Sequence, residues 1–170
     1  MKKIILFALV ALTLPLGANA QKFGLVDMDY ILQNIPAYER ANEQLNQVSR
    51  KWQAEVEALD NEAKTLYKNY QNEAVFLSDN QKKEREQAIV DKEKEAADLK
   101  KKYFGPEGEL YKKRESLVQP IQDEIYNAVK SVADQRGLQV IFDRASETSG
   151  IIFASPAIDV SNEVLSKLGY

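Results

Sequence analysis

The chain has 170 residues, with 23 basic and 26 acidic side chains and a formal charge of −3. Histidine and cysteine are both absent, which removes the imidazole base, the thiol nucleophile, the usual zinc ligands and every disulfide. A cysteine protease, a zinc hydrolase and a disulfide-stapled toxin are excluded, and the acidic balance argues against nucleic acid as a partner.

The N-terminus reads as a leader. Lys2 and Lys3 precede an apolar run from Ile4 to Leu14, broken only by Thr13, and Ala18-Asn19-Ala20 supplies an A-x-A cleavage site. The run is too short to span a bilayer. Cleavage after Ala20 leaves 150 residues beginning at Gln21, with 21 basic and 26 acidic side chains. No cysteine follows the leader, so no lipid anchor is expected. The predicted product is exported and soluble, and the leader suits a periplasmic or a secreted address equally.

Phe23 to Asp27 forms a short apolar run suited to a buried strand, and Asp29 is expected to cap a helical turn through Tyr30, Ile31 and Leu32. Pro36 ends that turn and is well placed to start the next helix. From there apolar residues stand at 38, 41, 45, 48, 52, 56, 59, 63, 66 and 70, every interval being three or four. The mean spacing is about 3.6, so the stripe stays on one helix face. The opposite face is Glu, Gln, Asn, Lys and Arg, with Asp60 and Lys64 as an expected i,i+4 pair. A helix over 37–76 would be roughly 60 Å long, too long for a compact domain of this size, so it must project.

Ser78 with Gln81 reads as a capping box that opens a returning helix. Its stripe runs through Ile89, Ala96, Leu99, Tyr103, Leu110 and Leu117 and continues in Ile121, Ile125, Ala128, Val129 and Val132. Asp98 with Lys102 and Glu109 with Lys113 are further expected pairs. Two such helices joined by a tight turn should lie antiparallel, each covering the other's stripe. Gly105-Pro106-Glu107-Gly108 predicts a kink or break opposite Trp52, and Gly105, Pro106 and Gly108 are the candidate hinge. Pro120 is a second expected interruption.

Gly137 occupies a helix C-cap position. Leu138 to Phe142 and Ile151 to Ala154 then read as an antiparallel hairpin, and Asp159 or Ser161 caps a last short helix. The fold class is α+β and mostly helical: a small β-rich body from 21–36 and 120–170, and a two-helix arm over 37–119 with its tip near 76–80. Three short strands with open edges make a marginal body, so self-association through it is expected. The residues placed there are Phe23, Leu25, Val26, Val140, Ile141, Phe142, Ile151, Ile152 and Phe153.

Several residue groups carry two readings. Val75, Phe76 and Leu77 either contact a ligand at the tip or cap the helix seam. Trp52, Tyr70 and Tyr103 fall at seam spacing, whereas Tyr67 and Tyr111 sit just off it and are candidates for a binding wall. Glu84, Glu86, Asp91, Glu93 and Glu95 have no cleft to desolvate them and read as a solvated face, not as acid/base or metal groups. Lys100, Lys101 and Lys102 with Lys112, Lys113 and Arg114 form the main basic concentration. They either attract an anionic segment or headgroup or serve as a soluble flank.

The order of four segments around the arm carries a resemblance. They are Phe23-Gly-Leu-Val-Asp-Met-Asp-Tyr-Ile-Leu-Gln-Asn-Ile-Pro, then Pro120-Ile-Gln-Asp-Glu-Ile-Tyr-Asn-Ala-Val-Lys-Ser-Val-Ala, Val140-Ile-Phe-Asp, and Asp159-Val-Ser-Asn-Glu-Val-Leu. Together they resemble the Skp/OmpH family of periplasmic chaperones over the whole mature chain. The resemblance implies a homotrimer with a β-rich body and three helical tentacles, whose cavity holds unfolded outer-membrane proteins without nucleotide. Residues 39–119 hold 16 basic and 17 acidic side chains, whereas well-known members have basic tentacles. Transient membrane-surface contact fits an exported protein of this kind. The alternative is a structural coiled-coil adaptor or spacer with a folded envelope partner. No nucleophile–base or metal constellation can be assembled, so neither an enzyme nor a cofactor or metal site is expected.

Overall fold

The computed structural model describes residues 21–170; the leader expected over 1–20 lies outside them. Strand β1, Phe23–Val26, leads into helix α1, Met28–Gln33. Asp27, not Asp29, caps α1, its side chain accepting from the Tyr30 amide. The cap moves back two residues because Asp27, just past the end of the strand, is still extended, and the N-cap position favours that conformation.

Helix α2, Pro36–Glu73, has 38 residues and Pro36 in its first turn. At ~1.5 Å per residue it is about 57 Å long. All ten positions of the apolar stripe are buried or half-buried, with Ala41, Leu45, Val56 and Ala63 fully so. A 3-10 turn at Ala74–Phe76 reverses the chain. Both halves of the Ser78–Gln81 capping box then start helix α3, Asp79–Phe104, which packs along α2 and buries Ile89 and Ala96.

The return limb breaks at 105–108 and resumes as helix α4, Glu109–Arg136. Pro120 does not interrupt α4. Proline deprives the Ser116 carbonyl of its helical donor, but Ser116 and Pro120 are both exposed, so water can serve that oxygen. Gly137 ends the helix at φ 65. The three expected i,i+4 ion pairs do not close. The only ion pairs between neighbouring turns of one helix among the described residues are Lys92–Glu95 at 2.8 Å and Lys112–Glu109 at 3.6 Å, both i,i+3. Exposed pairs gain too little to fix one geometry against side-chain entropy.

Strand β2, Val140–Asp143, pairs in parallel with β1, Phe23 opposite Val140 and Val26 opposite Asp143. The expected hairpin and its third strand are absent among the described residues, and Ile151–Ala154 is irregular. Both edges of β1 are occupied instead. One is taken by β2; on the other the Val160 amide donates to the Leu25 carbonyl at 2.8 Å, within a parallel bridge between Leu25 and Asp159. The last helix, α5, covers Ser161–Leu168. The body core joins Val26, Ile31 and Ile35 to Ile121, Ile125, Val132, Val164 and Leu165. This core closes only because the arm returns the chain to its starting point.

Candidate functional site

The arm has no interior beyond its seam, so whatever it binds must meet its surface. Trp52 and Tyr103 stack at 4.6 Å with planes 6° apart, next to the break, and Tyr70 lies half-buried in the seam. These aromatics therefore hold the two limbs together. The Tyr103 hydroxyl donates to Glu55 at 2.6 Å, which raises the Tyr103 pKa because the carboxylate favours the protonated phenol. Tyr70 is raised in the same way by Glu86. Lys92 is raised by Glu95 and then Glu62, at 2.8 and 3.1 Å. Polar groups along the seam are thus cross-linked between the limbs.

The off-stripe residues behave differently. Tyr67 and Tyr111 are 51% and 53% exposed, and at the tip Val75 and Phe76 are 82% and 86% exposed, while Leu77 is half-buried. Of the three tip residues, Leu77 alone is partly covered. Val90, also exposed, lies outside the apolar stripe of its helix. The adjacent pair Ile89-Val90 held the clue, since only one of two neighbours can face the seam.

On the body, Leu25 and Val26 are buried, and Ile141 and Ile151 are half-buried. Phe23, Val140 and Phe142 share one side of the sheet at 44%, 42% and 47% exposure, with the two phenylalanine rings 6.2 Å apart. Ile152 and Phe153 are almost wholly exposed, and the outer edge of β2 has no partner strand among the described residues. Apolar side chains and an open edge together make a surface suited to association.

A polar clasp fixes the surrounding loop. Arg144 meets Asp27 at 3.0 Å and Asp159 at 3.2 Å, and the buried Ser161 hydroxyl donates to Asp159 at 2.6 Å while accepting from the Asp27 amide at 2.8 Å. The Tyr30 amide, aided by Arg144, holds the Asp27 carboxyl below its ordinary value against a smaller opposing effect of burial. Among the described residues no group of three or more acidic side chains is placed to hold a metal ion, and no helix is long and apolar enough to cross a membrane.

A sequence model of the family described as outer membrane protein (OmpH-like) matches residues 22–168. The chain belongs to the OmpH-like family. Chaperone protein Skp of Yersinia enterocolitica is 24% identical over 172 residues, covering 99% of either chain. The OmpH-like fold recurs in a crystal structure from Caulobacter crescentus described as an OmpH-like outer membrane chaperone. That structure has a TM-score of 0.68 at 12% identity, over 89% of this chain and 86% of the other. The long helical arm on a small body of short strands is therefore the family architecture. The Gly105–Gly108 break, the tip and the uncovered sheet side are the parts of this OmpH-like chain whose roles its geometry must explain.

Proposed function

We propose that the protein is an ATP-independent periplasmic holdase that shelters unfolded outer-membrane proteins between helical arms. The observation that carries this reading is a projecting two-helix arm with exposed apolar groups at its tip and along its length, on a body whose sheet side and Ile152-Phe153 segment lie uncovered. Weak contacts spread over such a surface hold a chain without selecting one folded shape. They need no nucleotide, because each is individually reversible.

Phe23, Val140, Phe142, Ile152 and Phe153 are the residues through which protomers associate, three arms then enclosing a cavity. Val26 and Ile141 support that surface from the opposite side of the sheet, Leu25 lies buried on the same side as Phe23 and Phe142, and Ile151 leads into the exposed Ile152-Phe153 pair. Tyr67, Val75, Phe76, Leu77 and Tyr111 contact the client. Gly105, Pro106 and Gly108 form the hinge that lets an arm adapt to client size. The basic residues flanking this hinge allow transient contact with an anionic membrane surface.

The test is suppression of aggregation of a denatured porin by the mature protein without nucleotide. Protection at equimolar trimer is expected, and its absence would refute the reading. Sedimentation supplies the second arm: wild type sediments as a trimer and Phe142→Asp as a smaller species, whereas a monomeric wild type would remove the cavity.

A further inference from the structure

Where the return limb breaks, the arm opens a cleft of about 450 Å³. Asn42, Asn46 and Ser49 form one wall, each one position after a seam residue of α2. A residue one step past the seam turns about 100° around its helix, and on antiparallel helices that step leads to the same side of the pair. Phe104 follows Tyr103 and Tyr111 follows Leu110, so they form the facing wall, with Arg114 one turn further along α4. Tyr67 and Val90, which follow Leu66 and Ile89, mark the same side nearer the tip.

The two sides of the arm differ in kind. On the other side Glu109, Lys112 and Lys113 line a groove beside Trp52, and Lys112 is already paired with Glu109. In the cleft, the side chains of Asn42, Asn46, Ser49, Tyr111 and Arg114 make no hydrogen bond or ion pair within the described residues. Glu115 lies in the adjoining groove without pairing to Arg114.

We propose that this cleft recognises an extended polypeptide segment in which a large apolar side chain and a carboxylate stand two residues apart, on the same side of the chain. The apolar group fits between Phe104, Leu110 and Tyr111, and the uncommitted guanidinium of Arg114 takes the carboxylate. Asn42 and Asn46 each offer a donor and an acceptor to peptide groups. They stand about 6 Å apart along the helix, close to the ~6.8 Å repeat of alternate residues in an extended chain. The segment is part of an unfolded client, so this proposal rests on the chaperone reading and adds a discrete local preference to it.

The experiment uses the mature chain and an end-blocked, dye-labelled hexapeptide Gly-Asp-Ser-Phe-Ser-Gly, read by fluorescence anisotropy. Saturable binding is expected. Arg114→Gln should weaken it roughly tenfold, the scale of one charge-assisted contact, and leave an analogue with asparagine for aspartate unchanged. Asn46→Ala should weaken both peptides, and Lys113→Gln, on the other side of the arm, neither. No saturable binding, equal affinity for the two peptides, or an equal loss in Lys113→Gln would overturn the proposal. Porin protection is measured in parallel. Protection without peptide binding sinks the cleft alone, whereas Arg114-dependent peptide binding without protection supports the cleft and sinks the holdase reading.

Discussion

Gly108→Ala tests how the arm is jointed. A Cβ at Gly108 would stand 2.7 Å from the Tyr103 carbonyl oxygen, 2.8 Å from the Gly105 nitrogen and 2.9 Å from the Tyr103 carbonyl carbon. These are main-chain atoms, so no rotamer change relieves the overlap. The φ of −70° suits alanine, which makes the conflict purely steric. The turn must open, straining the bonds from the Gly108 amide to Gly105 and from the Gly105 amide to Lys101, both 2.9 Å. At about 1 kcal/mol for each bond lost, the expected destabilisation is about 1–2 kcal/mol.

Gly137→Ala supplies the contrast. That residue has φ 65 and open space around it, so alanine costs about 1–2 kcal/mol through backbone conformation alone. The two variants should lower the urea midpoint by similar amounts, read by far-UV circular dichroism at fixed protomer concentration. Only Gly108→Ala should shift native fluorescence, because Trp52 is the single tryptophan and stacks on Tyr103, whose carbonyl is struck. A Gly108→Ala protein with wild-type midpoint and native emission would refute this account of the break.

Ile125→Ala, at a side chain only 1% exposed in the body core, should cost about 2–5 kcal/mol in the same titration. A cost below that range would mean that the body packs loosely. Ser78→Ala removes the capping box and should cost about 1 kcal/mol, with faster amide exchange confined to the first turn of α3. Asp27 sets an acid response. Its folded pKa lies below the ordinary 3.8, so its contribution is fully present above that value and disappears as pH falls through the lower folded one. Asp27→Asn should flatten this part of the acid-unfolding curve, and an unchanged curve would show that the clasp does not titrate.

The arm was legible because its rules are local. Ten apolar positions at helical spacing, a serine and glutamine three apart, and a Gly-Pro-Gly interruption each impose structure through nearest neighbours. The body was less so, because strand partners are chosen at long range. Nothing within Leu138–Ala154 shows that β2 runs parallel to β1 or that the second edge of β1 goes to Asp159. Pro120 misled for a related reason: its effect depends on whether the orphaned carbonyl reaches water, which no helix pattern records. At the surface, Tyr67 and Tyr111 could be picked out by their offset from the stripe. The Asn42–Asn46 wall could not, because it acquires meaning only when the register of the returning limb is fixed.

The parallel pairing of Phe23 with Val140 also dictates an order of assembly. Ring closure over an intervening flexible chain of that length would cost about 4 kcal/mol in entropy, which two four-residue strands are poorly equipped to offset. Helices docking from the Ala74–Phe76 reversal need only short-range encounters, and zipping them inward carries the distant ends to within reach of each other. The rod therefore acts as a folding template for its own base: during synthesis the first strand must wait, unpaired, until almost the entire polypeptide has emerged.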